Sequence, residues 1–205
     1  GYVLYNARMT ITPFATSRIT RRALLIKTGQ TVSYATGDDG DLEIGISHNY
    51  EILTAGQYSG TTAIVLNSKT DTHSNECVKD HATGLMWSRV FSTGVGPTSN
   101  GLLAFTNATE NYFLYAAAAN AASLAGHTDW RIPNYFEVQT QIILAASAAD
   151  TDSTAFPAIS STIATSTTVP NGTTTNITIA TTTSGLPSVA TKTTASARVW
   201  LVRRF

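Results

Sequence analysis

Charge is scarce in this chain: Asp, Glu, Lys and Arg make up 13% of its 205 residues, and the acids and bases cancel. That is about half the usual share for a globular protein. No basic stripe exists that would track a phosphate backbone, so no nucleic-acid partner is expected. Cysteine is almost missing as well. The lone Cys77 rules out an intrachain disulfide framework and reads as a buried, inert thiol. No stretch approaches the roughly 20 apolar residues that cross a bilayer, and Leu24-Leu25-Ile26 is far too short, so membrane insertion is not expected. The opening residues also lack the charged start and apolar core of a secretory leader. What abounds is Thr, Ser, Ala and Gly, a balance more typical of surface-exposed, secreted or virion proteins than of cytosolic enzymes.

The densest stretch is Thr128-Asp-Trp-Arg-Ile-Pro-Asn134, which sets a turn polar, an indole, a guanidinium and a proline between two helical patterns. The upstream pattern, residues 111–125, is rich in Ala and Leu and ends where Gly126 suits a left-handed cap. Downstream, Pro133 restricts Ile132 to extended geometry and opens a second helix over about 134–149, with Phe136, Val138, Ile142 and Ile143 at its apolar positions. Trp130 then plugs a core between helices and sheet, and the fork of donors on Arg131 holds a carboxylate or carbonyls.

Residues 1–20 alternate loosely between apolar and polar, with Pro13 interrupting, as in an extended arm or edge strand. Residues 21–75 read as a β-rich region of short strands, with 67–75 a polar loop. Within it, Asp38, Asp39, Asp41 and Glu43 around Gly40 offer oxygen ligands of the kind calcium prefers. The spacing is not that of an EF-hand loop, and a plain solvated turn accounts for the same residues. From Cys77 to Trp87 a hairpin is expected, Gly84 taking the awkward backbone angle, with Leu85 and Trp87 facing one way and Met86 the other. Residues 92–101 form a Gly/Pro/Ser loop, and Phe156 anchors the connector 150–157. Residues 159–197 are dominated by Thr, and β-branching together with the alternation in Asn176-Ile-Thr-Ile-Ala180 favours displayed hairpins over a disordered stalk. A firm closing strand follows in Arg198-Val-Trp-Leu-Val-Arg203.

Taken together, Asp80-x-x-Thr83-Gly-Leu-Met-Trp87, Asp129-Trp-Arg-Ile-Pro133 and Arg198-Val-Trp-Leu-Val-Arg203 resemble the Lcl C-terminal-domain family over about residues 76–205. That family is named after a bacterial collagen-like adhesin, occurs in bacterial surface and phage structural proteins, and is related to the C-type-lectin-like fold. This chain departs from it twice. Ile159-Ser-Ser-Thr162 stands where the family usually has Trp-Ser-Ser-Thr, and alanines at 116–119 stand where a cysteine often sits. The resemblance implies an α+β, C-type-lectin-like domain with two helices and an antiparallel sheet, its long loops forming a ligand face. In this chain that face corresponds to Thr98, Ser99, Asn100, Asn171, Thr173 and Asn176, whereas Trp87, Asp129, Trp130, Arg131 and Trp200 are structural.

No phosphate loop, Gly-x-Ser-x-Gly or paired-histidine pattern occurs, and His48, His73, His81 and His127 lie in polar stretches, so no enzyme is expected and no cofactor beyond calcium. Two roles fit. One is a structural or receptor-binding protein of a phage particle, contacting its own copies or other particle proteins through residues 1–20; the other is a bacterial surface adhesin or extracellular filament subunit. Either places the chain on a virion surface or outside the cell, facing host-surface glycans or proteins. Asn-x-Thr sequons at Asn107, Asn171 and Asn176 arise easily by chance in so Thr-rich a chain.

Overall fold

The computed structural model describes residues 25–144, 149–157, 162–169, 175–180, 187–194 and 197–205. The expected arm at 1–20, residues 21–24 of the expected β-rich region, and Asn171 and Thr173 of the expected ligand face lie outside these residues. The fold is α+β with antiparallel pairing dominant.

The chain begins with a one-turn helix α1 (Asp39–Leu42), strand β1 (Tyr50–Leu53) and a 3-10 turn at Gly56–Tyr58. The hairpin β2 (Thr61–Leu66) and β3 (Lys69–Ser74) follows, then the hairpin β4 (Cys77–Asp80) and β5 (Leu85–Ser88). After β6 (Leu102–Leu103) come helix α2 (Tyr112–Ala121), a 3-10 turn at Leu124–Gly126 and helix α3 (Tyr135–Thr140). The rest is strand: β7 (Ile143–Leu144), β8 (Ala149–Asp150), β9 (Thr162–Thr168), β10 (Thr175–Ala180), β11 (Pro187–Thr191), β12 (Ala197–Arg198) and β13 (Val202–Arg204).

Two sheets carry the fold, one ordered β1-β4-β5-β13 and the other β11-β10-β9-β12-β6. Because β1 pairs along β4, the first β-rich region contributes an edge strand to the same sheet as the later motifs. Alternation of side chains then sorts residues between two cores. Cys77, Met86, Val199 and Leu201 face a core built with Tyr112, Tyr115 and Trp130. Their neighbours Val78, Leu85, Trp87, Trp200 and Val202 face a second core with Val138, Ile142 and Phe156. In that second core the Trp87 and Trp200 rings lie 4.3 Å apart, Phe156 meets Trp200 edge-on at 4.8 Å, and the Trp200 indole donates to the Ser88 carbonyl at 2.7 Å.

Four local expectations are corrected. Residues 69–74 form a strand paired with β2 and not a loop; its inward positions are the buried polar groups Asp71 and His73, which hydrophobic alternation cannot reveal. Asn67 and Ser68 make the turn at φ 49° and 62°, the left-handed pair that suits a two-residue hairpin. Within the region read as short strands, residues 56–58 are a 3-10 turn. The second helix begins one residue later and ends far earlier than 134–149. Asn134 is its N-cap, in a reciprocal capping box with Glu137, and Pro133 precedes the cap. The helix stops at Thr140 because the Gln141 side chain is drawn into the buried Asp80 cluster, 3.3 Å from its carboxylate, and the next residues pair as β7 with β8. Phe136, expected inward, is 74% exposed, whereas Val138 and Ile142 are buried. The first helix is likewise shorter than 111–125, since Asn120 turns its amide onto the Trp130 backbone and Ser123 and Ala125 take left-handed angles.

Removing the central indole tests this packing. Trp200→Ala is expected to lower unfolding free energy by about 3–5 kcal/mol, whereas Val65→Ala on the exposed side of β2 changes it by less than about 0.5 kcal/mol. Urea unfolding followed by tryptophan fluorescence and circular dichroism gives both values.

Candidate functional site

The loop at 92–101 is the best-supported outward feature. Its ends are closed by Ser92, whose hydroxyl donates to the Gly101 carbonyl at 2.7 Å and accepts from the Val199 amide at 2.9 Å. Two close approaches require glycine. A Cβ on Gly96 (φ 91°) would lie 2.0 Å from the Leu102 carbonyl oxygen, and one on Gly101 (φ 81°) 2.1 Å from that of Ser92. Beneath the loop, the buried Asp71 carboxylate accepts from the Thr93 amide at 3.0 Å, the Thr93 hydroxyl at 2.7 Å and the Tyr115 phenol at 2.7 Å. Lys69 donates to both the Gly96 carbonyl and Glu110, each at 2.6 Å. On this footing Val95 is buried, while Pro97, Thr98, Ser99 and Asn100 are exposed. Ser99 holds a left-handed φ of 53°, and the Asn100 side chain accepts from the Leu102 amide at 3.0 Å.

Beyond the loop, β6 leads into a shallow apolar groove of about 560 Å³ floored by Phe105, Phe113 and Leu114 and edged by Thr106, Asn107 and Asn111. It arises because α2 buries Tyr112, Tyr115, Ala116 and Ala119 and so turns Phe113 and Leu114 outward, at 44% and 37% exposure. Phe105 and Phe113 meet edge-on at 5.0 Å, making an aromatic surface that the Thr-rich loops alone do not suggest. The spacing of residues 113, 114 and 117, opposite the buried stripe, is the sequence signal that reveals it. Asn176 does not join this region. It lies on β10, separated from β6 by β9 and β12, which at the usual strand spacing is about 14 Å.

The motif residues are spent on the framework. Asp129 receives a two-pronged pair from Arg203 at 2.6 and 3.1 Å, and Arg131 forks onto Glu137 at 2.7 and 2.6 Å. The Trp130 indole donates to the Leu124 carbonyl at 2.9 Å, and the Arg131 and Val202 backbones exchange hydrogen bonds. Asp80, at the head of the Asp-x-x-Thr-Gly turn, accepts from the Thr83 hydroxyl at 2.8 Å and the Ala82 amide at 3.1 Å, with the His48 ring 2.8 Å away. A profile of the Lcl C-terminal domain matches residues 76–203, more than half of the chain.

The chain belongs to the Lcl C-terminal domain family. Neither curated proteins nor solved structures gave a match. In this Lcl C-terminal domain, β1 to β3 precede the matched residues and are built into the same body: β1 extends the sheet and β3 supplies Lys69 and Asp71 under the loop. Family membership marks the chain as a surface or secreted protein domain, and no helix among the described residues is long and apolar enough to cross a membrane.

The four acidic residues of the first region are occupied locally. Asp38 caps α1 and accepts from the Tyr34, Ala35 and Asp41 amides at 2.7, 3.1 and 2.8 Å. Asp39 takes the Thr28 hydroxyl, Asp41 the Gly37 amide at 2.8 Å, and Glu43 the Lys27 ammonium at 3.2 Å. Among the described residues, no three His, Cys, Asp or Glu side chains gather as a metal centre would require.

Asp80 also sets an acid response. Burial alone would raise its pKa, but hydrogen bonds from His48, Thr83 and Gln141 outweigh it and hold the carboxyl at about 2, below its ordinary 3.8. The folded value lies below the unfolded one, so this stabilisation is complete above the unfolded pKa and vanishes as pH falls through the folded one. It amounts to about 2 kcal/mol. The stability gap between wild type and Asp80→Asn is expected to close as pH falls from about 4 to about 2. Denaturant midpoints across that range measure it.

Proposed function

We propose that this Lcl C-terminal domain is a non-enzymatic structural or receptor-binding component of a phage particle, presenting a lectin-like face outward to host-surface glycans or proteins. The observation that carries this reading is the 92–101 loop, which sits on buried, fully engaged anchors and leaves a short polar tip exposed. A recognition element of this kind costs little ordering entropy on binding. The Thr98 and Ser99 hydroxyls supply adaptable hydrogen bonding, and the neighbouring Phe105–Phe113 surface supplies an apolar platform of the type sugar rings stack on. That aromatic groove also favours a second setting, a bacterial surface adhesin or filament subunit that binds glycans with the same face.

The absence of catalysis in this reading rests on where the reactive groups lie. Burial pushes the Cys77 thiol up to about 12, leaving almost no thiolate at neutral pH. His48 and His81 sit against carboxylates at 2.8 and 2.9 Å, and His73 is buried between the Ser74 and Val90 carbonyls. None adjoins a nucleophile among these contacts.

Glycan-array and whole-cell binding by the intact chain test the proposal. The triple change Thr98→Ala, Ser99→Ala, Asn100→Ala and the single change Phe113→Ala are each expected to weaken binding about tenfold or more, with the melting temperature changed little by the exposed tip substitutions. Binding that survives both sets of changes overturns the assignment of this face.

A further inference from the structure

The small charge of this chain is divided unevenly. Residues 1–24 contain Arg8, Arg18, Arg21 and Arg22 and no acid, a net charge of +4. Residues 25–205 therefore carry nine basic against thirteen acidic side chains, a net of −4. The same first segment is strongly apolar, with Tyr2, Val3, Leu4, Tyr5, Met9, Ile11, Phe14 and Ile19 interleaved among the arginines.

The described body holds a surface that matches both properties. An apolar groove of about 350 Å³ runs between Leu25, Ile26 and the outer side of α3, where Phe136 and Ile142 line it. Leu25 and Phe136 are each 74% exposed there, unusual for large apolar residues placed side by side. The groove shares Lys27 and Thr28 with a smaller depression lined by Asp39 and Glu43. Asp39 and Glu43 thus form an acidic border to an apolar trough, with Asp38 and Asp41 beside them in sequence at α1, and Lys27 is their one ion-pair partner among the described residues.

We infer that this groove receives residues 1–24 of a second copy of the chain, apolar side chains entering the trough and arginines meeting the α1 carboxylates. Charge complementarity selects the segment as occupant: it combines four cations with no acid, and the other stretch that does so, residues 192–205, is built into the two sheets through β12 and β13. Reach and backbone chemistry select the second copy. Fully extended, the segment spans about 80 Å, against a diameter of about 40 Å for a body of this size. Folding back onto its own groove would require a tight reversal next to Leu25, yet residues 18–27 contain no Gly, Pro, Asn, Asp or Ser to make one. Continuing outward, the segment reaches a neighbour. The contact deepens the assembly part of the particle reading and uses none of the loop face, so loss of glycan binding leaves it standing, and its own failure leaves the loop reading intact.

Light scattering and crosslinking on the 205-residue chain decide the matter. Wild type is expected to self-associate with rising concentration and to dissociate in high salt, as an exposed ionic contact must. Phe136→Glu, and separately Arg21→Glu with Arg22→Glu, are expected to raise the dimer dissociation constant about tenfold or more, with circular dichroism unchanged. A Phe14→Cys chain mixed with a Phe136→Cys chain is expected to give a covalent heterodimer with a short bismaleimide, the buried Cys77 serving as an unreactive control in each. Monomers at every concentration overturn the inference. So does crosslinking that appears only within single chains of the Phe14→Cys, Phe136→Cys double variant, which would seat the segment on its own groove.

Discussion

The stretch from Ala197 to Arg204 is the constraint on which the rest of the molecule hangs. It begins in one sheet, with β12 beside β9 and β6, and ends in the other, with β13 beside β5. Between them Val199 and Leu201 point into one core while Trp200 points into the other. Neighbouring turns hold this crossing: Ser92 pairs with Val199, the Ser88 carbonyl accepts the Trp200 indole while the Ser88 amide donates to the Leu201 carbonyl, and Arg131 exchanges bonds with Val202. The Asp129–Arg203 and Arg131–Glu137 forks then fasten the Asp-Trp-Arg-Ile-Pro turn to the last strand and to the start of α3. Three motifs far apart in sequence are thereby one structural joint.

A chain with so few charges spends many of them internally. Asp71, Asp80 and Glu110 are buried, and each carboxylate is met by two or more donors. Left unpaired, such groups would cost several kcal/mol each, so their donors are part of the fold and not decoration. The consequence reaches the surface. Asp71 and the Lys69–Glu110 pair hold the underside of the 92–101 loop, and the outward face is left to hydroxyls, amides and aromatic rings. A surface of that chemistry suits contacts insensitive to salt, in contrast to the ionic character of the first 24 residues.

Much of this was legible in the sequence, for identifiable reasons. Gly84, Asn111 and the alternation of residues 77–78 and 85–87 are local signals, governed by backbone sterics and by the period of a strand, and they determined the β4–β5 hairpin, the start of α2 and which side chains oppose one another. The three linked motifs identified the family for the same reason: their residues serve contacts that only this order and spacing can make. What tertiary structure decided was everything that depends on a distant partner. β3 is a strand although its inward residues are Asp71 and His73, because Thr93 and Tyr115 supply the donors that Asp71 needs, and the Ser74 and Val90 carbonyls flank the His73 ring. α3 ends at Thr140 because Gln141 is held by Tyr50 and Asp80, and Phe136 faces solvent because the shortened helix turns Val138 inward. Propensity acts over a few neighbouring residues, whereas a buried hydrogen bond acts between chain positions that meet only in the folded state, and where the two disagreed the buried bond prevailed.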